Sequence, residues 1–402
     1  MKRSLLVMIL MTFCAFSYAQ DSLSVAKNDS INKAAEDPDF ITVSLMWATP
    51  GKEIYSLIGH SLLRLQCPSN DLDIAYSFAM DVSPGDILRF IQGKAMSGYI
   101  YSLTQDKIDE YKADGRGVSE VKLNLTPKEK QELWRFLDTQ LQKGPEYHYD
   151  YLHTQCASMT IFAIESILDG ETIVYNDLPE EVRHEYGSHR IVLMNLCKNS
   201  PWQFLFWNIT LGTHGDNNND FNGRLAPEIL WNAWQHASIK DKDGQLRPMT
   251  VGKPQVLNIK TCDDGPFPIT PWMVFGALAL IVIISVFTDI KGKIPWLGHS
   301  MDIILLAGHT IISLWITYLI LFSQLVATEW NWLIIAFNPL PGLLWTVGRK
   351  KKWFHWCYLI FMVVPLAYII LTPVIPQMKC TPCLCLLMAA FSLRAIANFK
   401  KK

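Results

Sequence analysis

The run Tyr149-Asp150-Tyr151-Leu152-His153-Thr154-Gln155-Cys156-Ala157-Ser158-Met159-Thr160-Ile161-Phe162-Ala163-Ile164-Glu165-Ser166-Ile167-Leu168 changes character at its middle. Ala157, Ile161, Ile164, Ile167 and Leu168 recur at the three- and four-residue spacing of one helical face, which predicts a helix over 156–168. Thr154 is the expected N-cap, and Cys156 then falls in the first turn. Unpaired backbone N–H groups and the helix dipole favour an anion there, so a thiol at that place can ionise below its ordinary range. Free cysteine is also a common core residue, and the bland reading of Cys156 is a small buried side chain. Its position at a helix start separates it from that background. A histidine close in space would complete a nucleophile.

Upstream, Gly51-Lys52-Glu53-Ile54-Tyr55-Ser56-Leu57-Ile58-Gly59-His60-Ser61-Leu62-Leu63-Arg64-Leu65 reads as a short apolar element, a glycine break and an alternating strand. His60 stands where that strand begins. Taken alone it is a structural histidine; taken with Cys156 it is the base that a thiol nucleophile needs.

Thr49-Pro50-Gly51, Tyr55-Ser56, Gly59-His60-Ser61, Leu63-Arg64, Gly115-Arg116 and Tyr149-Asp150 ahead of Cys156 resemble the DUF4105 family, the Lnb-type bacterial lipoprotein N-acyltransferases. That family is similar to circularly permuted papain-like thiol enzymes, the NlpC/P60 and lecithin–retinol acyltransferase group, in which histidine precedes cysteine. The resemblance covers roughly residues 40–240 and, through the apolar region that follows, most of the chain. The family commonly has Asn before its cysteine, where this chain has Gln155, an amide that can still donate a hydrogen bond. The resemblance implies an α+β exported domain of permuted papain-like fold followed by a five-helix transmembrane bundle. It also implies a phospholipid acyl donor and a diacylated lipoprotein acceptor.

The rest of the chain fits that frame. With 402 residues, 50% of them hydrophobic, it is long enough for a soluble domain and several spans. A net charge of −1 and the lack of a basic patch with interleaved aromatics set nucleic acid aside. Residues 1–19 carry Lys2 and Arg3, an apolar run and Ser17-Tyr18-Ala19, a secretory signal peptide. Residues 20–39 are polar and read as a tether, and 40–265 as the periplasmic thiol-enzyme domain. Strands are expected over Val43–Trp47, Ser61–Leu65, Leu72–Phe78 and Val118–Leu125, and helices over Asp81–Gly93 and Ser102–Lys112. Thr126-Pro127-Lys128-Glu129 opens a further helix with a capping box.

Residues 270–398 read as a transmembrane domain with five spans, Pro271–Phe287, Met301–Val326, Trp330–Val347, Trp353–Ile375 and Thr381–Ala397. Lys291, Lys293, Arg349–Lys352 and Lys400–Lys402 collect at alternate ends, which places the exported domain outside the inner membrane and the C-terminus in the cytoplasm. Asp302 and His309 share a face of the second span, and Arg394 is expected to reach the membrane surface with its long side chain. The aromatic run Pro201–Ile209 suits either a core or the membrane interface.

A papain-like site has a third polar group that orients the imidazole, for which Tyr76 and Ser77 are the candidates. Gln155, Arg116 and Asp150 are candidates for oxyanion or substrate contacts. Arg116 suits either a bidentate grip on phosphate or a solvated turn, and Asp150 either catalysis or a turn-fixing bond. His184, Glu185, His189 and His214 lack a sustained ligand spacing, so neither a metal nor another cofactor is expected. Three functions remain: acyl transfer, peptidoglycan cleavage by a membrane-anchored cysteine peptidase or amidase, and a non-catalytic envelope sensor.

Overall fold

Alternating apolar side chains make Thr42–Ala48 a strand that is buried on both faces, and the exported domain is laid down around it. The computed structural model describes residues 41–52, 56–80, 87–176, 188–197, 199–216, 226–262, 268–348 and 353–400. The expected signal peptide, the tether, the start of the helix expected from Asp81, His184, Glu185 and Arg349–Lys352 lie outside the described residues.

Strand β1 (Thr42–Ala48) pairs antiparallel with β2 (His60–Cys67), in register from Thr42 opposite Gln66 to Ala48 opposite His60. Then follow β3 (Leu72–Met80), β4 (Met96–Leu103), α1 (Thr104–Ala113), β5 (Val118–Leu123), α2 (Pro127–Lys143), β6 (Tyr147–His148) and α3 (Cys156–Glu165). Beyond them come β7 (Thr172–Val174), α4 (Pro201–Thr210), α5 (Pro227–His236), β8 (Ser238–Lys240), β9 (Leu246–Pro248) and β10 (Thr250–Asn258). Seven strands form one sheet in the order β10-β5-β1-β2-β3-β4-β6; β7, β8 and β9 form a second.

The two faces of the large sheet carry separate cores. Leu45, Leu63, Leu65, Tyr76 and Phe78 pack with Ala157, Ile161 and Ile164 of α3. On the other face, Met46, Leu62, Ala75 and Val118 pack with Tyr111 of α1. The period-two alternation of a strand produces this division. The expected capping box of α2 is present: Glu129 N–H donates to the Thr126 hydroxyl at 3.3 Å and Thr126 N–H to Glu129 Oε2 at 2.7 Å. A β4 strand was not foreseen; it runs to Leu103, so α1 starts at Thr104 rather than Ser102.

The chain divides into two compact units, Met1–Val192 with Asn218–Asp264, and Leu193–Asn217 with Gly265–Lys402. Among the described residues of the second unit, three helices are long and apolar enough to cross a membrane, Pro271–Ile290 (α6), Pro295–Phe322 (α7) and Pro382–Phe399, the last within α9 (Pro382–Lys400). Between them lie shorter apolar helices, Leu333–Thr346 and, within α8 (Phe354–Leu371), Trp356–Leu371. The aromatic run forms α4 and belongs to this unit: the Trp315 indole donates to Thr210 Oγ1 at 3.1 Å, and Asn331 Nδ2 donates to Ile209 O at 2.7 Å.

Arg394 departs from the expectation of a side chain reaching the membrane surface. It is buried and binds Asp302 at 2.8 and 2.9 Å, Asp289 at 2.7 Å and Gly298 O at 3.0 Å, which ties α9 to α6 and α7. A guanidinium with two carboxylates and a carbonyl in reach satisfies its charge inside the bundle and has no need of water.

Candidate active site

Cys156 opens α3, with Gln155 rather than Thr154 as the N-cap. Gln155 Oε1 accepts from Ala157 N–H at 2.7 Å, and Gln155 N–H donates to Ser158 Oγ at 2.9 Å, a capping box built with an amide. The cap could not be read from Thr154, because Thr154 is spent one residue earlier: its backbone N–H and C=O pair with Asp150 at 3.0 and 3.2 Å. Asp150 Oδ1 also accepts from the N–H groups of Leu152 and His153, both at 2.9 Å. That carboxylate therefore holds the loop that delivers Cys156 to the helix start.

Ser61 is the partner that the sequence did not single out. Hydrogen bonding from its backbone N–H and its hydroxyl acts to lower the Cys156 thiol, as does that from the N–H groups of Ala157 and of Cys156 itself. The ladder between β2 and β3 ends at Leu63 opposite Tyr76, while β3 continues with β4 as far as Met80. Ser61 thus lies beyond the last β2–β3 pair. Thr160 supports the arrangement, donating to Cys156 O at 2.8 Å with its Oγ1 3.4 Å from Ser61 Oγ.

The thiol does not ionise as readily as a helix start alone predicts. Burial pushes Cys156 above the ordinary cysteine range, and the four donors only partly offset that cost. His60 is pushed down to about 3, by burial first and then by the positive charges of Arg116 and Lys107. Thiol and imidazole therefore both rest neutral.

Adjacent strand residues face opposite sides, so His60 stands on the Tyr111 side of β2 and Ser61 on the α3 side. The His60 and Tyr111 rings are 6.3 Å apart, and the Tyr111 hydroxyl lies within electrostatic reach of Cys156. Arg116 completes the group, with its guanidinium carbon 4.6 Å from the Tyr111 ring centre. Tyr111 and Lys107 carry no signal in the sequence; both are brought in by α1.

Tyr76 and Ser77 are placed elsewhere on the sheet. Tyr76 is opposite Leu63 and buried in the α3-side core, 6.2 Å from the Tyr101 ring; Ser77 is opposite Ile100. Neither hydrogen-bonds to His60 Nε2, which is buried without a partner among the described residues. His189 begins a short helix, and His214 lies 3.5 Å from Glu329 in the second unit.

Two family models match the chain. One is described as the Lnb N-terminal periplasmic domain and matches residues 27–183; the other is the Lnb transmembrane domain and matches residues 263–402. Together they support an Lnb-type family and a membrane-anchored protein with a periplasmic domain. No curated protein and no solved structure matches.

Proposed function

Starting from an Lnb-type envelope protein, we propose a phospholipid-dependent lipoprotein N-acyltransferase in which Cys156 is the nucleophile and His60 the proton carrier. One observation carries the reading. At a helix start, hydrogen bonds from Ser61, from Ala157 and from its own backbone act to lower the Cys156 thiol, and His60 precedes Ser61 in β2. Such donors stabilise negative charge as it develops on sulfur, which a merely packed cysteine does not require.

In the first half-reaction the Cys156 sulfur attacks an ester carbonyl of the phospholipid. The S–C bond forms, the ester C–O bond breaks, and the thiol proton passes through His60 to the departing lysophospholipid oxygen. In the second, the α-amine of a diacylglyceryl-cysteine lipoprotein attacks the thioester. The C–N bond forms, the C–S bond breaks, and His60 carries the surplus amine proton back to sulfur. Hydrogen bonds of this kind often tighten only with substrate bound. Exclusion of water from the thioester favours the amine over hydrolysis.

The histidine-before-cysteine order, with α3 packed on an antiparallel sheet, supports a permuted papain-like domain of the DUF4105 type. The apolar helices support five spans in the inner membrane, with the domain outside and the C-terminus in the cytoplasm. A peptidase acting on the cell wall has no use for such an anchor, whereas both proposed substrates reside in the bilayer.

The test is lysophospholipid release by the full chain in detergent, dependent on added diacyl lipopeptide, together with mass spectrometry of the lipopeptide. Cys156→Ala is expected to abolish both products and His60→Ala to lower both by at least about a hundredfold. Full activity of Cys156→Ala rejects the mechanism, and cleavage of peptidoglycan fragments in place of acyl transfer selects the rival enzyme.

A further inference from the structure

Among the described residues, three arginines that are buried or partly buried each bind two carboxylates. Arg64 has Asp73 and Glu120, Arg247 has Glu129 and Glu171, and Arg394 has Asp289 and Asp302. Arg116 is buried like Arg394 and more deeply than the other two, 3% exposed, and pairs with no carboxylate among the described residues. A buried charge without a counter-charge costs several kcal/mol, and none of the described residues supplies Arg116 with one.

Nor is Arg116 a loose side chain. Its Nε donates to Thr49 O at 2.7 Å, its backbone N–H to Tyr111 O at 2.8 Å, and its C=O accepts from Asn258 Nδ2 at 2.6 Å. Gly51 leaves room for it: a Cβ there would lie 3.1 Å from Arg116 Cδ and 2.6 Å from Ser56 Oγ. The guanidinium is thus pinned over the Tyr111 ring with Nη2 buried and unpartnered. The Tyr111 hydroxyl and His60 Nε2, in the same group, are also buried without partners among the described residues. Interiors rarely leave three polar atoms unsatisfied together.

We propose that Arg116, with Tyr111, forms an anion subsite beside Cys156 and His60 that holds the phosphodiester of the acyl donor. This rests on the acyl-transfer reading for the identity of the anion, though not for the existence of the subsite. A fixed guanidinium edge next to a hydroxyl suits phosphate oxygens. In a glycerophospholipid only the glycerol backbone separates phosphate from ester, so one molecule reaches both Arg116 and the Cys156 sulfur. The acceptor brings an amine, which a guanidinium repels, so this side of the site belongs to the donor. Donor choice then depends on the phosphate and not on the acyl chains alone.

Two measurements on the full chain in detergent separate this from the reading beneath it. The first is binding, in the Cys156→Ala background, of an ether-linked phosphatidyl lipid and of the matching dialkylglycerol. The phosphatidyl lipid is expected to bind at least tenfold more tightly. Adding Arg116→Gln should remove that preference, adding Arg116→Lys should retain part of it, and inorganic phosphate should compete. Equal affinity for the phosphatidyl lipid with and without Arg116→Gln overturns the proposal, whatever the activity assay gives.

The second is acyl transfer from a diacyl phosphatidyl lipid and from diacylglycerol. Arg116→Gln should lower kcat/KM roughly ten- to a hundredfold for the phosphatidyl donor, mainly through KM, and by a much smaller factor for diacylglycerol. The same factor for both donors makes Arg116 a support of the fold and rejects the subsite. If Cys156→Ala retains transfer, the mechanism fails while the binding result still decides the subsite.

Discussion

Removing the Ser61 hydroxyl tests whether the donors around sulfur govern its reactivity. Thr160 commits its own proton to Cys156 O at 2.8 Å, so the Ser61 proton is free to turn between Thr160 Oγ1, 3.4 Å away, and the sulfur. On ionisation it turns to sulfur, because a hydrogen bond to a charged acceptor is the stronger of the two. Such a bond contributes about 1.5–3 kcal/mol. Ser61→Ala therefore lowers the thiolate population at a fixed pH by roughly ten- to a hundredfold, with each 1.36 kcal/mol worth a factor of ten. The lower end is expected, because the Ser61 backbone N–H remains. The assay is the pH dependence of iodoacetamide alkylation, followed at the Cys156 peptide by mass spectrometry. Its profile should move to higher pH in Ser61→Ala. An unchanged Cys156 profile refutes the claim that this hydroxyl supports the charged sulfur.

Three further outcomes follow from other contacts. Gly59 has φ +81°, and a Cβ there would sit 2.9 Å from Ala48 O, a backbone atom that cannot move aside. Gly59→Ala should cost about 1–3 kcal/mol in thermal unfolding and lower acyl transfer by shifting His60, and a variant equal to the parent in both excludes it. Arg247→Met leaves the buried Glu129 and the neighbouring Glu171 without their cation. A loss of about 3 kcal/mol is expected, the low end of the range because Glu129 keeps its bond to Thr126 N–H. A change below about 1 kcal/mol would show that water replaces the arginine. Burial acts to raise Asp73, but hydrogen bonds from Arg64 and Gln66 outweigh it and hold the carboxyl below its usual range. A depressed folded value gives stability that is present above the unfolded pKa and lost as pH falls through the folded one. Melting temperatures should therefore drop below about pH 4, and Asp73→Asn should flatten that decline while costing under about 1 kcal/mol at neutral pH, since the carboxylate is partly exposed.

How much of this was legible depends on whether the signal was local. The apolar spacing of α3, the Thr126–Glu129 box and the alternation in β1 to β3 and β5 are local, and they read correctly. The β4 strand hides behind Gly98, which weakens any strand pattern and is required by packing: a Cβ there would lie 2.9 Å from Pro145 Cα. The β10 strand carries Gly252 and Pro254, which only an edge strand tolerates, and its place at the sheet edge is a property of the whole topology. At the site, the residue types of Cys156 and His60 announce chemistry by themselves. Ser61 matters only because the β2–β3 ladder stops short of it, and Tyr111 only because α1 lays it against His60. The depressed histidine and elevated thiol could not be read at all, because burial is a product of the finished fold.

The interleaving of the two units along the chain has a practical outcome for anyone preparing the exported half alone. Ending the gene before Pro271 would keep residues 193–217, whose aromatic helix would lose Trp315, Asn331 and Phe275 as neighbours. That orphaned surface invites clumping. Residues 218–264 must stay, since they supply α5 and the strand that closes one border of the large sheet. A well-behaved fragment therefore calls for two deletions, one internal and bridged by a short spacer, and one terminal.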